Sequence, residues 1–366
     1  MKSARSVRIF TGISIATLAI SAISALAFGT VSASITKIDA FAGIDKRPDK
    51  KSSAINYLLV GSDTREGLTK AELKELRVGS VATAAGKRSD TMLLVHISKA
   101  RDKAVLVSIP RDTFALIPAH LNKAGKTIPA VHSKINSAFN WGGAPLLIQT
   151  IEEMTQLKIY HYVEVNFSGF ASVIDSLGGI EVCTKKDIDD PKSHLVLPAG
   201  VHTLNGIEAL KYVRTREFDG MGDIGRMQRQ QAFMSSVLKK ATSAGVLLNP
   251  ITMTSFINSS LAAVTTDEGL KNSDLITLAK QMKSLATSNI RTLTVPLSSL
   301  NYYSNGVTAS VLWDPVLAPE LWNRLREDRA VIDEVTPSPS PSATEAAKVE
   351  IIDKFKTRTA ADNICR

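Results

Sequence analysis

Five short polar clusters, each set against an apolar run, hold most of the residues in this chain that are suited to chemistry. They are Gly61-Ser62-Asp63-Thr64-Arg65, Arg88-Ser89-Asp90-Thr91, Ser108-Ile109-Pro110-Arg111-Asp112, Tyr212-Val213-Arg214-Thr215-Arg216, and the run from Gly222 through Arg226, Arg229 and Gln230 to Gln231. Aspartate carboxylates are hard oxygen ligands for Mg²⁺ or Mn²⁺, and Mg²⁺ is commonly held by one or two carboxylates plus phosphate oxygens of the substrate. Arginine supplies a planar fork of donors that grips phosphate in bidentate fashion. On a helix Arg226, Arg229 and Gln230 fall at i, i+3 and i+4 and share a face. Several Arg beside two or three Asp suit a metal-bound phosphoryl or diphosphate group. Each cluster taken singly also fits a structural role. A lone Asp after a strand is commonly a turn former, and Arg111-Asp112 alone reads as a surface ion pair. The weight lies in their number and their placement at strand ends, where a rigid sheet presents loop residues.

Other motifs fail on their spacing. Gly79 to Lys87 has too many residues between its glycines for a phosphate loop, and Arg88 stands where Ser or Thr is required. Ser236-Val237-Leu238-Lys239 lacks the companion motifs of a serine acylase. The six His form no zinc pattern, and His132 and His161 read as structural.

The elements that must position the clusters alternate between strand and helix. Strands are expected over Ile55–Val60, Thr91–Ile97, Ala104–Ile109, Tyr160–Val165, Ile180–Val182 and Ile290–Val295. Helices are expected over Thr69–Leu76, Ala144–Leu157, Phe167–Leu177 (stopped by Gly178-Gly179), Ile207–Val213, Ile224–Ala241, Ile251–Val264, Leu275–Leu285 and Pro319–Arg326. The pattern predicts an α/β class with one sheet covered by helices, spanning residues 55–332 as one domain. Residues 37–54 read as a polar stalk, 333–348 as a Pro/Ser linker and 349–366 as a C-terminal tail, with a short charged helix expected within 345–366.

Lys2, Arg5 and Arg8 precede an uncharged run from Ile9 to Thr36, long enough for a membrane-spanning helix. The positive flank predicts a cytoplasmic N-terminus and residues 1–36 as a retained anchor. The small-residue site Val31-Ser32-Ala33 leaves a cleaved signal peptide as the alternative, although the apolar run exceeds the usual length of one. Either way the rest of the chain lies outside the cytoplasm, which argues against a nucleic-acid partner. The net charge is +9, and with the three anchor cations set aside residues 37–366 carry +6. Two cysteines rule out a disulfide-dense scaffold or a four-thiolate zinc site. In an oxidising compartment Cys183 and Cys365 are expected to form a disulfide that ties the tail to the domain.

At these clusters the chain resembles the LytR-CpsA-Psr family of bacterial envelope proteins. The matching stretches, in the family's order, are NYLLVGSDTREG (56–67), RSDTMLLVHI (88–97), VLVSIPRDT (105–113), KINSAFNWGGAPLLIQTIEEM (134–154), YVEVNFSGFASVIDSLGGIEV (162–182), LPAGVHTLNGIEALKYVRTRE (197–217) and GDIGRMQRQQAF (222–233). The resemblance implies an α/β/α sandwich around a central mixed sheet, with an apolar tunnel for a polyprenyl chain. It implies transfer of a glycopolymer from a polyprenyl-diphosphate carrier to a peptidoglycan sugar hydroxyl, on the outer side of the cell membrane. Asp63 and Asp90 match the metal carboxylates. Arg111, Arg214, Arg216, Arg226 and Gln230 match the diphosphate group, with Arg65, Lys134 and Arg229 placed beside them as motif residues. Asp63 and Asp112 are the two candidates for a general base. A polyprenyl-diphosphate hydrolase and a non-catalytic polyprenyl-phosphate-binding regulator are the alternatives, and the identity of the polymer stays open.

Overall fold

A computed structural model describes residues 35–64, 68–76, 89–122, 124–216, 222–241, 243, 256, 259, 262–271, 274, 287–335 and 350–359. Its centre is an eight-stranded mixed sheet of β1 (Thr36–Ile38), β2 (Ile55–Ser62), β3 (Ser89–Ile97), β4 (Ala104–Ile109), β5 (His161–Val165), β6 (Val264–Asp267), β7 (Ile290–Thr294) and β8 (Arg358–Thr359). The spatial order is β1-β6-β5-β2-β3-β4-β7-β8. Strands β5, β2, β4 and β7 run in one direction, and β3 runs against them between β2 and β4.

Period-two alternation sorts the side chains of these strands between two cores. Leu58, Val60, Met92, Leu94, Val105 and Val107 pack on one face with Leu147, Ile148 and Ile151 of α2 (Asn136–Thr155) and Leu321 and Leu325 of α6 (Leu317–Arg326). Leu93, Ala104, Leu106 and Ile290 pack on the other with Met234 and Leu238 of α5 (Gly222–Ala241). Each such aliphatic side chain contributes about 1.5–3 kcal/mol on full burial. Helices on both faces give the layered arrangement expected of the α/β class. Beside α5, α3 (Phe167–Ser176) and α4 (Gly206–Arg214) close a further core with the hairpin Ile180–Thr184/Gly200–Leu204. The α3–α4 crossing requires Gly206, where a Cβ would stand 2.3 Å from the Ala171 carbonyl oxygen. Another helix, α1 (Lys70–Leu76), touches α4 through Lys211 and Glu75.

Several sequence expectations need correction. Residues 37–54 are not a detached stalk. β1 pairs in parallel with β6, Ala40 is fully buried, and Arg47 clamps the buried Glu152 of α2 at 2.7 and 3.0 Å. The tail is not helical where it is described. Glu350–Ile352 pairs with Asp333–Val335, Phe355 is buried, and β8 covers the edge of β7. Its β-branched residues suit a strand, and an open sheet edge offers the partner. The helix expected to end at Val264 gives way to β6 at that residue, for the same β-branched reason. Helix α2 begins eight residues earlier than Ala144, with a break at Gly143.

All but the last two residues of the anchor expected at 1–36, the helix at 275–285 and most of the Pro/Ser linker lie outside the described residues, and Thr36 already belongs to β1. Among the described residues no helix is long and apolar enough to cross a membrane. Cys183, on the strand Ile180–Thr184, is disulfide-bonded, while Cys365 lies outside the described residues.

Candidate active site

The carboxyl ends of β2, β4 and β5 and the amino end of β3 meet at one edge of the sheet, and the polar clusters collect there. At the end of β2, Gly61 pairs with Thr91 while Ser62 pairs with Ser89. Asp90 is therefore the extra residue of a β-bulge, a device that re-aims side chains and ends pairing beside functional sites. Asp63 follows immediately and is half-buried, and the buried Ser62 hydroxyl shares a 2.8 Å hydrogen bond with Thr64. The bulge brings the Asp63 and Asp90 backbones to neighbouring strand ends.

At the end of β4 the chain turns through Pro110 to Arg111 and Asp112. Its backbone is held by three hydrogen bonds from two segments. Asn136 donates to the Arg111 carbonyl at 3.1 Å, Val311 donates to the Asp112 carbonyl at 2.8 Å, and Ile135 donates to that of Thr113 at 2.8 Å. The Asp112 carboxylate meets Lys134 Nζ at 3.2 Å through Oδ1 and Arg111 Nε at 3.4 Å through Oδ2. Both contacts are partly solvated.

The arginines of α4 and α5 divide into two groups. Arg214 ends α4, and its guanidinium lies 5.5 Å from the centre of the Phe167 ring. Thr215 then turns out of the helix (φ −59, ψ 139). The carbonyls left unpaired at a helix end need donors, and α5 supplies them: Gln230 Nε2 donates to the Val213 carbonyl at 3.1 Å, and Arg229 Nη2 donates to that of Thr215. The Arg216 backbone N–H donates to the buried Asp190 carboxylate. Gln231 Nε2 bonds Thr294 at 2.6 Å and so fixes α5 against β7.

Between this edge, α3–α5 and the hairpin Leu297–Ser304/Val307–Trp313 lies a cavity of about 530 Å³. One part of its lining is apolar: Leu59, Leu93 and Leu106 from mid-strand positions, with Phe170, Leu210, Val213, Phe233 and Met234 from the helices. The other part comes from strand and helix ends: Arg111, Asp112, Arg214, Arg226 and Gln230. Of the residues expected at the site, these five line the cavity, and Asp63 adjoins it through Ser62. Lys134 reaches the cluster through Asp112. Arg216 and Arg229 are not among the lining residues, and Arg65 lies outside the described residues.

Sequence reading missed the apolar set and the overhanging hairpin residues Leu300, Ala309 and Val311. The signal for the former was present: Leu59, Leu93 and Leu106 sit on the opposite side of the pleat from Leu58, Leu94 and Val107.

A divalent ion fits the donor chemistry of the bulge, since Mg²⁺ takes one or two protein carboxylates and completes its shell with water and phosphate oxygens. A dedicated cage is not what this site offers: among the described residues no group of three or more His, Cys, Asp or Glu is placed to hold a metal.

Comparison with known proteins gives one family. The sequence profile of the LytR_cpsA_psr family matches residues 26–326. A probable cell wall biosynthesis protein, LcpB of Corynebacterium glutamicum, is 36% identical over 276 residues, covering 75% of this chain and 62% of that protein. The polyisoprenyl-teichoic acid–peptidoglycan teichoic acid transferase TagT of Bacillus subtilis is 34% identical over 204 residues, covering 54% of this chain and 56% of TagT. The chain thus spans less than two thirds of the length of either relative. Among solved structures, a LytR-Csp2A-Psr enzyme from Actinomyces oris shares the fold with a TM-score of 0.59 at 22% identity, covering 80% of this chain and 95% of that one.

Proposed function

Because the chain belongs to the LytR-CpsA-Psr family, we propose that it is a glycopolymer–peptidoglycan phosphotransferase of the cell envelope, drawing its polymer from a polyprenyl-diphosphate carrier. The observation that carries this is the divided lining of the cavity. An apolar wall of Leu59, Leu93, Leu106, Phe170 and Phe233 adjoins Arg111, Arg214, Arg226 and Gln230. A prenyl chain suits the first set and a diphosphate the second, so one amphipathic ligand satisfies both. The teichoic-acid transfer named for TagT supports the same chemistry.

In the proposed reaction a peptidoglycan sugar hydroxyl attacks the phosphorus that bears the glycopolymer. A new P–O bond forms, the bond to the bridging oxygen breaks, and polyprenyl phosphate leaves with that electron pair. The hydroxyl proton passes to a carboxylate, Asp63 or Asp112. Arg111, Arg214 and Arg226 stabilise the charge that builds on the leaving phosphate, and Gln230 orients the diphosphate. Asp63 and Asp90 would hold Mg²⁺ or Mn²⁺, which supplies further charge neutralisation when bound. The product is a phosphodiester between polymer and peptidoglycan. The N-terminal run 1–36 would anchor the protein with its catalytic domain on the extracytoplasmic side, where both substrates reside.

The test is to incubate the protein, Mg²⁺, a lipid-diphosphate-linked glycan and peptidoglycan fragments, and to look for the conjugate. Released polyprenyl phosphate without conjugate would make the protein a hydrolase. Donor binding with neither product would make it a non-catalytic binder.

A further inference from the structure

A second hollow lies outside the cavity, on an element rooted in the reacting cluster. Phe114–Ile117 pairs with Val131–Lys134, and farther out His120–Leu121 pairs with Thr127–Ile128. The root of this hairpin is the Asp112–Lys134 contact at 3.2 Å. Its outer part and the first segment of α2 enclose an open hollow lined by His120, Asn122, Ala124, Ile128, Asn140 and Trp141. None of these six is Arg, Lys, Asp or Glu. Among the described residues the lining is thus uncharged, and its aromatic and amide groups suit an uncharged ligand, in contrast to the arginine-rich cavity.

The hollow is built rather than incidental. Trp141 is 37% exposed, so part of its ring is open to a ligand. It stands where α2 breaks: Gly143 adopts φ 66, ψ −152, a conformation left almost wholly to glycine. A Cβ on Gly142 would come within 2.5 Å of Leu146 Cβ. The Trp-Gly-Gly break thus ends the first helical segment at the indole and leaves it at the surface. The His120 ring stacks on Trp141 with centroids 5.4 Å apart and planes 12° from parallel. His120 Nδ1 bonds the Pro118 carbonyl at 2.8 Å, so in the neutral ring Nδ1 is the donor and Nε2 an acceptor. Asn122 Oδ1 accepts from the N–H groups of Ala124 and Lys126 at 3.0 and 2.9 Å, which leaves the side-chain NH₂ as donor.

We propose that this hollow binds the sugar backbone of the acceptor glycan and thereby delivers its hydroxyl to the cluster at Asp112. A pyranose presents a face of C–H groups that suits the electron-rich face of an aromatic ring, and hydroxyl and acetamide groups at its rim that suit amide and imidazole partners. The hairpin's four-residue strands span about 13 Å and the first α2 segment about 9 Å, so a few sugar units bridge hollow and cluster. The naming of the acceptor rests on the transferase activity proposed above; the affinity of the hollow for a sugar chain does not.

The test measures binding of a soluble, peptide-free peptidoglycan oligosaccharide to the full chain by calorimetry, in the native protein and in Trp141→Ala and Trp141→Phe. Trp141→Ala is expected to weaken binding at least about tenfold, and Trp141→Phe, which keeps an aromatic face, by less than about threefold. Donor affinity and the melting temperature should stay unchanged. In the transfer assay Trp141→Ala should raise KM for the acceptor with kcat nearly constant. Unaltered oligosaccharide affinity and acceptor KM in Trp141→Ala overturn the proposal. So does a loss confined to vesicles of anionic phospholipid, which would make the patch a membrane contact. Trp141-dependent sugar binding with no conjugate under any condition would instead sink the transferase activity and leave the site standing.

Discussion

Replacing Asp112 by Asn separates two roles that the cluster allows for this carboxylate. Both of its oxygens face cations, Lys134 Nζ at 3.2 Å and Arg111 Nε at 3.4 Å. Its backbone is pinned by Val311 and by the Thr113–Pro110 turn, so the substitution leaves the chain path intact. On that geometry the expected role of Asp112 is to hold the two cations in place, which leaves Asp63 as the proton acceptor of the two candidates; the substitution decides between them. Asn keeps one oxygen in the same position and loses the charge. A hydrogen bond to a charged group contributes about 1.5–3 kcal/mol, and one of two such contacts is forfeited. Solvent at these partly exposed side chains reduces the loss to about 1.5–2 kcal/mol. At 1.36 kcal/mol per tenfold, kcat/KM for transfer should fall roughly 10- to 30-fold, with the pH profile keeping its shape. The assay is initial-rate transfer from lipid-diphosphate-linked glycan to peptidoglycan fragments across a pH series. A loss beyond about 10³-fold together with disappearance of the acidic limb would refute the positioning role and make Asp112 the base. A change under about twofold would remove it from the mechanism altogether.

Three further outcomes are expected. Chelation by EDTA should abolish transfer and added Mg²⁺ should restore it; transfer that persists in EDTA removes the metal assigned to Asp63 and Asp90. Arg47→Ala strands the buried Glu152 charge, whose ion pair with Arg47 measures 2.7 Å with Arg47 21% exposed, and should destabilise the domain by about 3 kcal/mol in denaturant titration. Unchanged stability would mean that this ion pair contributes nothing to holding residues 37–54 on the domain. Burial alone would raise the pKa of Asp267, but hydrogen bonds from His161 and the Tyr162 N–H outweigh it and hold the carboxyl below its ordinary value of 3.8. A depressed folded pKa contributes stability above the unfolded value and loses it as pH falls through the folded one. The melting temperature of the native protein should therefore drop more steeply below about pH 4 than that of Asp267→Asn, and parallel acid limbs would exclude this linkage.

Local chemistry made part of this molecule legible in advance and hid the rest. Polar clusters closing apolar runs marked β2 and β4 and one opening a run marked β3, and these gather at one sheet edge because β2 and β4 run in the same direction with β3 antiparallel between them. The bulge at Asp90 depends on how Ser62 and Ser89 pair across two strands, and no local pattern encodes that register. Strand β1 is three residues long, and its partner begins 228 residues later. Its polar surroundings read as a stalk because its contribution is to cover a sheet edge. The tail was misread for the same reason.

The arginines of α5 make the point most sharply. Helical spacing groups Arg226, Arg229 and Gln230 on one face, yet only Arg226 and Gln230 line the cavity. A difference of one residue rotates a side chain by about 100° around the helix axis, and that is enough for Arg229 to reach the open end of α4 instead. There its guanidinium takes the Thr215 carbonyl, and the neighbouring Gln230 takes that of Val213. Those two bonds fix where α4 ends, and so where Arg214 enters the cavity. Arg229 is therefore expected to act on the proposed diphosphate site through Arg214. Its conservative replacement by Lys should weaken donor binding and lower stability together, whereas Arg226→Lys, at a residue that lines the cavity, should weaken donor binding more than it lowers stability.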